Sequence, residues 1–153
     1  MRCWRITSKK RSATAFDGEG ARRVGGRWNS VGVPAIYVSE HLSTAVLEIL
    51  VHADPSDLVA PFVTIELELP DDVLERVPAE TLPSDWRDTP APAACQTFGD
   101  AWLQAGTGLG LVVPSAVIPD CVNIIINPRH AAMSGMKVLR QMPFTFDPRL
   151  YSG

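Results

Sequence analysis

Arg27, Glu48 and Ser115, with Tyr37 between the first two, are residue types that could act together on a phosphorylated, sugar-bearing molecule. Arg27 follows Gly25-Gly26 and precedes Trp28-Asn29. Its guanidinium offers a planar fork to a phosphate or carboxylate, and Trp28 beside it supplies an aromatic face. Tyr37 could stack on a flat ring or donate a hydrogen bond. Glu48 could sit by a sugar carbon where positive charge develops, stabilise that charge, and hold a ribose hydroxyl or guide a water. Ser115 would add a short hydroxyl. A Gly-Gly-Arg triplet alone is more often a surface turn with a solvated arginine; its company here gives it weight.

The elements that must position these residues are readable. Gly25 and Gly26 allow positive φ or close approach of a ligand, and Asn29, Ser30, Gly32 and Pro34 mark a turn. Residues 34–38 then form a short apolar strand carrying Tyr37. Ser39 is placed to cap a helix over residues 40–53. Leu42, Ala45, Val46, Ile49, Leu50 and Ala53 recur at helical spacing as its core face. His41, Thr44, Glu48 and His52 make a polar stripe, which is ordinarily solvated. With Leu47 and Val51 apolar on the remaining surface, this stripe is narrow enough to line a cleft instead.

Around that centre the pattern predicts a strand over 3–6, then an irregular glycine-rich loop to Gly26 whose length suits a site. Residues 62–69 alternate, with Val63, Ile65, Leu67 and Leu69 inward and Thr64, Glu66 and Glu68 on a solvated face. A proline-rich, acidic excursion over 70–92 precedes a helix over 93–104 anchored by Phe98, Ala101 and Trp102 and ended at Gly106. Strands follow over 109–113 and 121–126, and Pro143 makes 137–146 an edge strand or two broken pieces. Short strands, few helices and no regular βαβ alternation predict one mixed α+β domain spanning residues 1–153.

Composition limits the partners. The net charge is −3 and the pI about 5.5, which argues against direct nucleic-acid binding. No apolar run is long enough for a membrane span and no signal-peptide core follows the N-terminus, so a cytoplasmic protein is expected. Cys3, Cys95 and Cys121 lack metal-ligand spacing, so no metal is expected and the thiols should be free. No GxSxG elbow surrounds Ser115, no basic context surrounds a cysteine, and neither GxGxxG nor GxxxxGK[ST] is present.

Phe16-Asp17-Gly18-Glu19-Gly20-Ala21, Gly25-Gly26-Arg27-Trp28-Asn29, Tyr37-Val38-Ser39-Glu40, Leu47-Glu48, Val113-Pro114-Ser115 and Asn127-Pro128 together resemble the RES domain. This family is named for an arginine, a glutamate and a serine. The resemblance runs in the family's order over about residues 4–146; the combination is specific though no single piece is. It implies a fold like that of the ADP-ribosyltransferases and a toxin of a bacterial toxin–antitoxin pair. The implied toxin consumes NAD as substrate, by hydrolysis or phosphorolysis of the nicotinamide-ribose bond or by transferring ADP-ribose to a protein, with inorganic phosphate as a conceivable co-substrate and no cofactor. Arg27, Glu48 and Ser115 would be the catalytic residues, and Arg27, Trp28, Tyr37, Ser115 and His130 would bind substrate. Arg27 would hold pyrophosphate or ribose, Tyr37 would pack on nicotinamide, and Ser115 would orient ribose or nicotinamide. A helix-turn-helix, Xre-like antitoxin covering the active site is the implied partner, and a homodimer is compatible. A non-catalytic nucleotide- or partner-binding module is the competing class; an RNA-directed toxin would need a basic groove.

Overall fold

A computed structural model describes residues 1–151. Its frame is a seven-stranded sheet in the order β4-β5-β6-β2-β1-β3-β7. The strands are β1 (Arg2–Ser8), β2 (Ile36–Ser39), β3 (Phe62–Glu68), β4 (Leu74–Arg76), β5 (Gly110–Pro114), β6 (Val122–Ile126) and β7 (Lys137–Phe144), with helices α1 (Glu19–Val24), α2 (Leu42–Leu50) and α3 (Ala93–Ala105). Neighbours are antiparallel except β4 and β5, which are parallel. The mixed α+β class read from the sequence is the class observed.

Period-two alternation divides the sheet between two faces. On one, Cys3, Ile36, Val38, Ile65, Leu67, Ile124 and Ile126 form a continuous core. The other is covered in two halves. α3 packs Cys95, Trp102 and Leu103 with Leu111, Val113 and Ile125. α2 packs Ala45, with Leu42, Val46, Ile49 and Leu50, near Ile6, Phe62, Phe144 and Phe146. Between these halves, the sheet face is left open to a cleft.

Several expectations change in detail. Residues 9–26 are more ordered than a loop, holding a 3-10 turn at Lys9–Thr14 and α1; six-residue helices are too short to show periodicity. The proline-rich excursion hides β4, whose three residues pair with β5. Ser39 is the last residue of β2, not a helix cap; α2 starts later, after His41, without a side-chain cap. Ala101 is exposed rather than an anchor. Thr64 is buried, and Glu66 is covered by Arg140 at 3.3 Å and Arg2 at 3.6 Å. That face is therefore not simply solvated, because α2 and long side chains from neighbouring strands fold over it. The final strand, β7, is an unbroken edge strand that accommodates Pro143, with a bulge opposite Glu66/Leu67.

Candidate active site

A cavity of about 320 Å³ opens between the Arg27 turn, β1, β2 and α2. This is within the size range of small-molecule sites. Its walls include Trp4, Arg5, Arg27, Tyr37, Glu48 and His52, with Pro114 and Ala116 closing one end.

The Arg27 turn is rigid for identifiable reasons. Gly26 N–H donates to Asn29 O at 2.9 Å, closing a tight reversal over Arg27 and Trp28. Tyr37 Oη donates to Asn29 Oδ1 at 2.7 Å and accepts from Trp28 N–H at 3.0 Å. Asn29 Nδ2 in turn donates to Ala21 O and Val33 O. A Cβ at Gly26 would lie 2.6 Å from Tyr37 Oη, so only glycine fits there. Burial pushes the Tyr37 phenol well above its ordinary range. Tyr37 thus spends its hydroxyl on the turn and offers the cleft its ring.

Arg27 Nη1 donates to the carbonyls of Trp86 and, at 2.9 Å, Asp88. The proline-rich excursion is therefore a strap that orients this guanidinium. Trp28 is 3% exposed and packs edge-on against Phe98, with ring centroids 6.0 Å apart. Its ring belongs to the core beneath the turn, and the more accessible aromatic wall is Trp4.

Glu48 Oε1 accepts from Ser115 Oγ at 2.7 Å and from Asn123 Nδ2 at 2.6 Å. Among the described residues, no hydrogen bond is made to Oε2. Ser115 is buried, 2% exposed, and does not line the cavity. Its oxygen accepts from the N–H groups of Val117 at 3.1 Å and Ile118 at 3.0 Å while its proton goes to Glu48. This hydroxyl supports the carboxylate and is not presented to a ligand, contrary to the substrate contact expected of it. His130 lies elsewhere. It caps the 3-10 turn Ala131–Gly135, its Nδ1 accepting from Ala132 N–H at 3.1 Å, beside a separate depression under the C-terminal end of α3. The sequence pattern Asn127-Pro128 could not reveal that the chain leaves the cleft before His130.

Arg5 was missed. It sits in a strand that reads as ordinary core, yet its Nη1 donates to Tyr37 O at 2.7 Å. The β1–β2 ladder is confined to Trp4↔Ser39, and the Arg5 side chain spans the gap where those strands part. Arg5 Nε is buried and has no hydrogen-bond partner among the described residues. Burial pulls the guanidinium down to about 10, a shift that Asp17 partly opposes. Its only sequence signal was its place beside Trp4. Asn123 was missed too, since an asparagine inside a strand gives no warning that its amide will meet a carboxylate.

Two guanidinium groups, aromatic walls and a carboxylate with one unbonded oxygen form one wall-to-wall arrangement suited to an anionic, sugar-bearing ligand. Among the described residues, no group of three or more His, Cys, Asp or Glu could hold a metal ion. No helix among them is long and apolar enough to cross a membrane.

A profile of the RES domain matches residues 2–147. The chain belongs to the RES-domain family. The RES resemblance read from the sequence is thereby established over nearly its whole length. The RES chain is 36% identical to a protein named Toxin Res from Yersinia enterocolitica, with 98% of this chain and 99% of that protein covered. It is also 36% identical to a Prs ADP-ribosylating toxin from a Sphingobium species, with 96% and 94% covered. Among solved structures it resembles a chain of the M. tuberculosis MbcT-MbcA toxin-antitoxin complex, with a TM-score of 0.77 and 25% identity over 99% of this chain and 86% of that one.

Proposed function

We propose that this RES domain is the toxin of a toxin–antitoxin pair and acts on NAD by breaking the bond between nicotinamide and ribose. The observation that carries the reading is Glu48. Two donors hold one of its oxygens while the other is unbonded, in a cleft that also contains Arg5 and Arg27. Similarity to proteins named as toxins, one of them ADP-ribosylating, and to a chain of a toxin–antitoxin complex supports it.

In this mechanism Arg27 and Arg5 bind the pyrophosphate, and the Tyr37 and Trp4 rings flank the planar groups. The C–N bond to nicotinamide breaks with its electron pair leaving on nicotinamide, and positive charge develops on the ribose. Glu48 stabilises that charge through its unbonded oxygen. Ser115 acts through Glu48. The acceptor then adds at the same ribose carbon: water gives ADP-ribose, and phosphate would give its phosphorylated counterpart. A protein side chain as acceptor is the second reading, favoured by the ADP-ribosylating relative. A helix-turn-helix antitoxin that covers the cleft, and a toxin homodimer within the complex, complete the proposal.

The test is nicotinamide release from NAD by the purified, partner-free protein, with and without phosphate. Glu48→Gln should lower turnover by about 10²- to 10³-fold, the usual cost of removing one transition-state electrostatic contact, with the fold retained. Equal turnover in that variant would sink the assignment. Label transfer from NAD to protein, without free ADP-ribose, would select the second reading.

A further inference from the structure

Asn123 faces the cleft from β6, and Ser39 faces it from β2. The two residues are directly opposite in the antiparallel β2–β6 register, and Ser39 is also opposite Trp4 of β1. Ser39 Oγ donates to Asn123 Oδ1 at 2.7 Å, and Asn123 Nδ2 donates to Glu48 Oε1 at 2.6 Å.

We propose that Ser39 and Asn123 form a positioning relay that fixes the plane of the Glu48 carboxylate and thereby aims its unbonded oxygen at the reacting sugar. The catalytic consequence rests on the NAD reading above; the relay itself does not.

Glu48 stands on a helix of nine residues, Leu42–Leu50, whose packing is apolar and so supplies no directional contact to the carboxylate. A carboxylate at the end of a flexible side chain would rotate freely there. Ser115 supplies one donor from the loop after β5, and a single donor leaves rotation about its own line. Asn123 supplies the second donor from a different strand, and two donors from different directions determine a plane. The amide must present nitrogen to Glu48, since the reverse orientation would set its oxygen against a carboxylate oxygen. Ser39 holds the far side of that amide from the neighbouring strand, so the sheet's own register carries the alignment to the helix. Ser39 is buried and lies in a strand, where a hydroxyl is of little use to packing; the relay accounts for it.

The experiment measures nicotinamide release by the wild type, Ser39→Ala, Asn123→Ala and Asn123→Asp, each also combined with Glu48→Gln. Ser39→Ala should lower kcat roughly fivefold, the worth of one neutral hydrogen bond, and Asn123→Asp by about 10²-fold through a like charge beside Glu48. KM for NAD should change less than about twofold, because the perturbation is expressed only where ribosyl charge develops. In the Glu48→Gln background Ser39→Ala should add nothing, since both then act on a step already lost. A KM effect in place of a kcat effect, or the same loss from Ser39→Ala in both backgrounds, would overturn the relay.

A second readout is independent of NAD. The Asn123 side-chain amide protons, assigned by their disappearance in Asn123→Asp, should resonate downfield in the wild type and move upfield in Glu48→Ala. If the wild type released no nicotinamide, the NAD reading would fail while this spectrum still tested the relay; an amide signal unmoved by Glu48→Ala would refute it.

Discussion

Replacing Ser115 by alanine separates two roles that a family-defining serine could play. If the hydroxyl touches substrate, the variant should bind NAD less well and fold normally. The structure gives the opposite expectation. Ser115 Oγ makes three hydrogen bonds, one to Glu48 Oε1 and two from the backbone N–H groups of Val117 and Ile118. Removing it deletes a bond to a charged group, worth about 1.5–3 kcal/mol, and strands two backbone donors. Each donor costs about 1 kcal/mol, the lower end of the range, because Val117 and Ile118 are only half-buried. The sum is roughly 3.5–5 kcal/mol, a large part of the stability of an ordinary domain. Denaturant unfolding should show a fall in midpoint at unchanged slope, and a thermal midpoint lower by about 10 °C. Nicotinamide release measured below that midpoint should show a reduced kcat at unchanged KM, since Glu48 has lost one of its two restraints. A Ser115→Ala protein with wild-type stability and a raised KM would refute this account and return Ser115 to the ligand.

Three other outcomes are expected. Arg27→Ala should raise KM by about 10- to 100-fold through the lost charge-assisted contact, while Arg27→Lys, which keeps the charge but lacks the planar fork that an anionic group would meet once Nη1 is held by the Trp86 and Asp88 carbonyls, should recover only part of it; steady-state kinetics checks both. Gly99→Ala should destabilise the protein by at least about 1–3 kcal/mol in denaturant unfolding, because a Cβ there would fall 1.9 Å from Trp28 O and push α3 off the Arg27 turn. Burial pushes the Cys3 thiol up to about 12 from an unfolded value near 9.0; above pH 9 the unfolded chain loses this proton and the folded chain keeps it, so stability falls as pH rises. Cys3→Ala should make that decline shallower than in the wild type between pH 9 and 10, the contribution of Tyr37 being common to both proteins, as equilibrium unfolding of the two across that range would show.

The sequence made the scaffold of the site legible where a local signal coincided with a local structure. Gly25-Gly26-Arg27 announced a tight turn, and the turn is there, though the need for Gly26 comes from Tyr37, distant in sequence. The helical spacing around Glu48 identified α2, and the narrow polar stripe on it does reach the cleft through Glu48 and His52. What could not be read were pairings across the sheet. Arg5 became a cleft residue because β1 and β2 part immediately after Trp4↔Ser39, and no property of residues 2–8 alone encodes that divergence. Ser39 looked like a helix cap because serine before a helix usually is one; its hydroxyl was instead claimed by Asn123 on a strand formed 84 residues later. Trp28 read as an aromatic face beside an arginine; it borders the cleft, yet Gly99 lets α3 approach closely enough to bury most of it.

The burial of Arg5 follows from the same divergence of strands and gives the cleft an energetic bias. A guanidinium in this position forfeits hydration, and its Nε recovers no hydrogen bond among the described residues. Placing an apolar side chain there would avoid that cost, as large-scale experience with buried ion pairs indicates. Arg5 nevertheless keeps one firm anchor, Tyr37 O, on the strand whose side chain pins the Arg27 turn. The two arginines are thus referenced to the same residue, Arg5 through the Tyr37 carbonyl and Arg27 through the Tyr37 hydroxyl. Tyr37 anchors Arg5 and the turn that carries Arg27, and the Trp86 and Asp88 carbonyls hold the Arg27 guanidinium itself, whereas two independent surface arginines would each have to be ordered when a ligand arrived. An anion that meets both recovers the desolvation already incurred at Arg5 and orders little else, which is the condition under which charged contacts add to affinity instead of merely breaking even. A ligand with spread negative charge, such as a pyrophosphate, satisfies that condition better than a single carboxylate, which is why the proposed reading assigns the charged middle of a dinucleotide to the arginines and its ribose to Glu48.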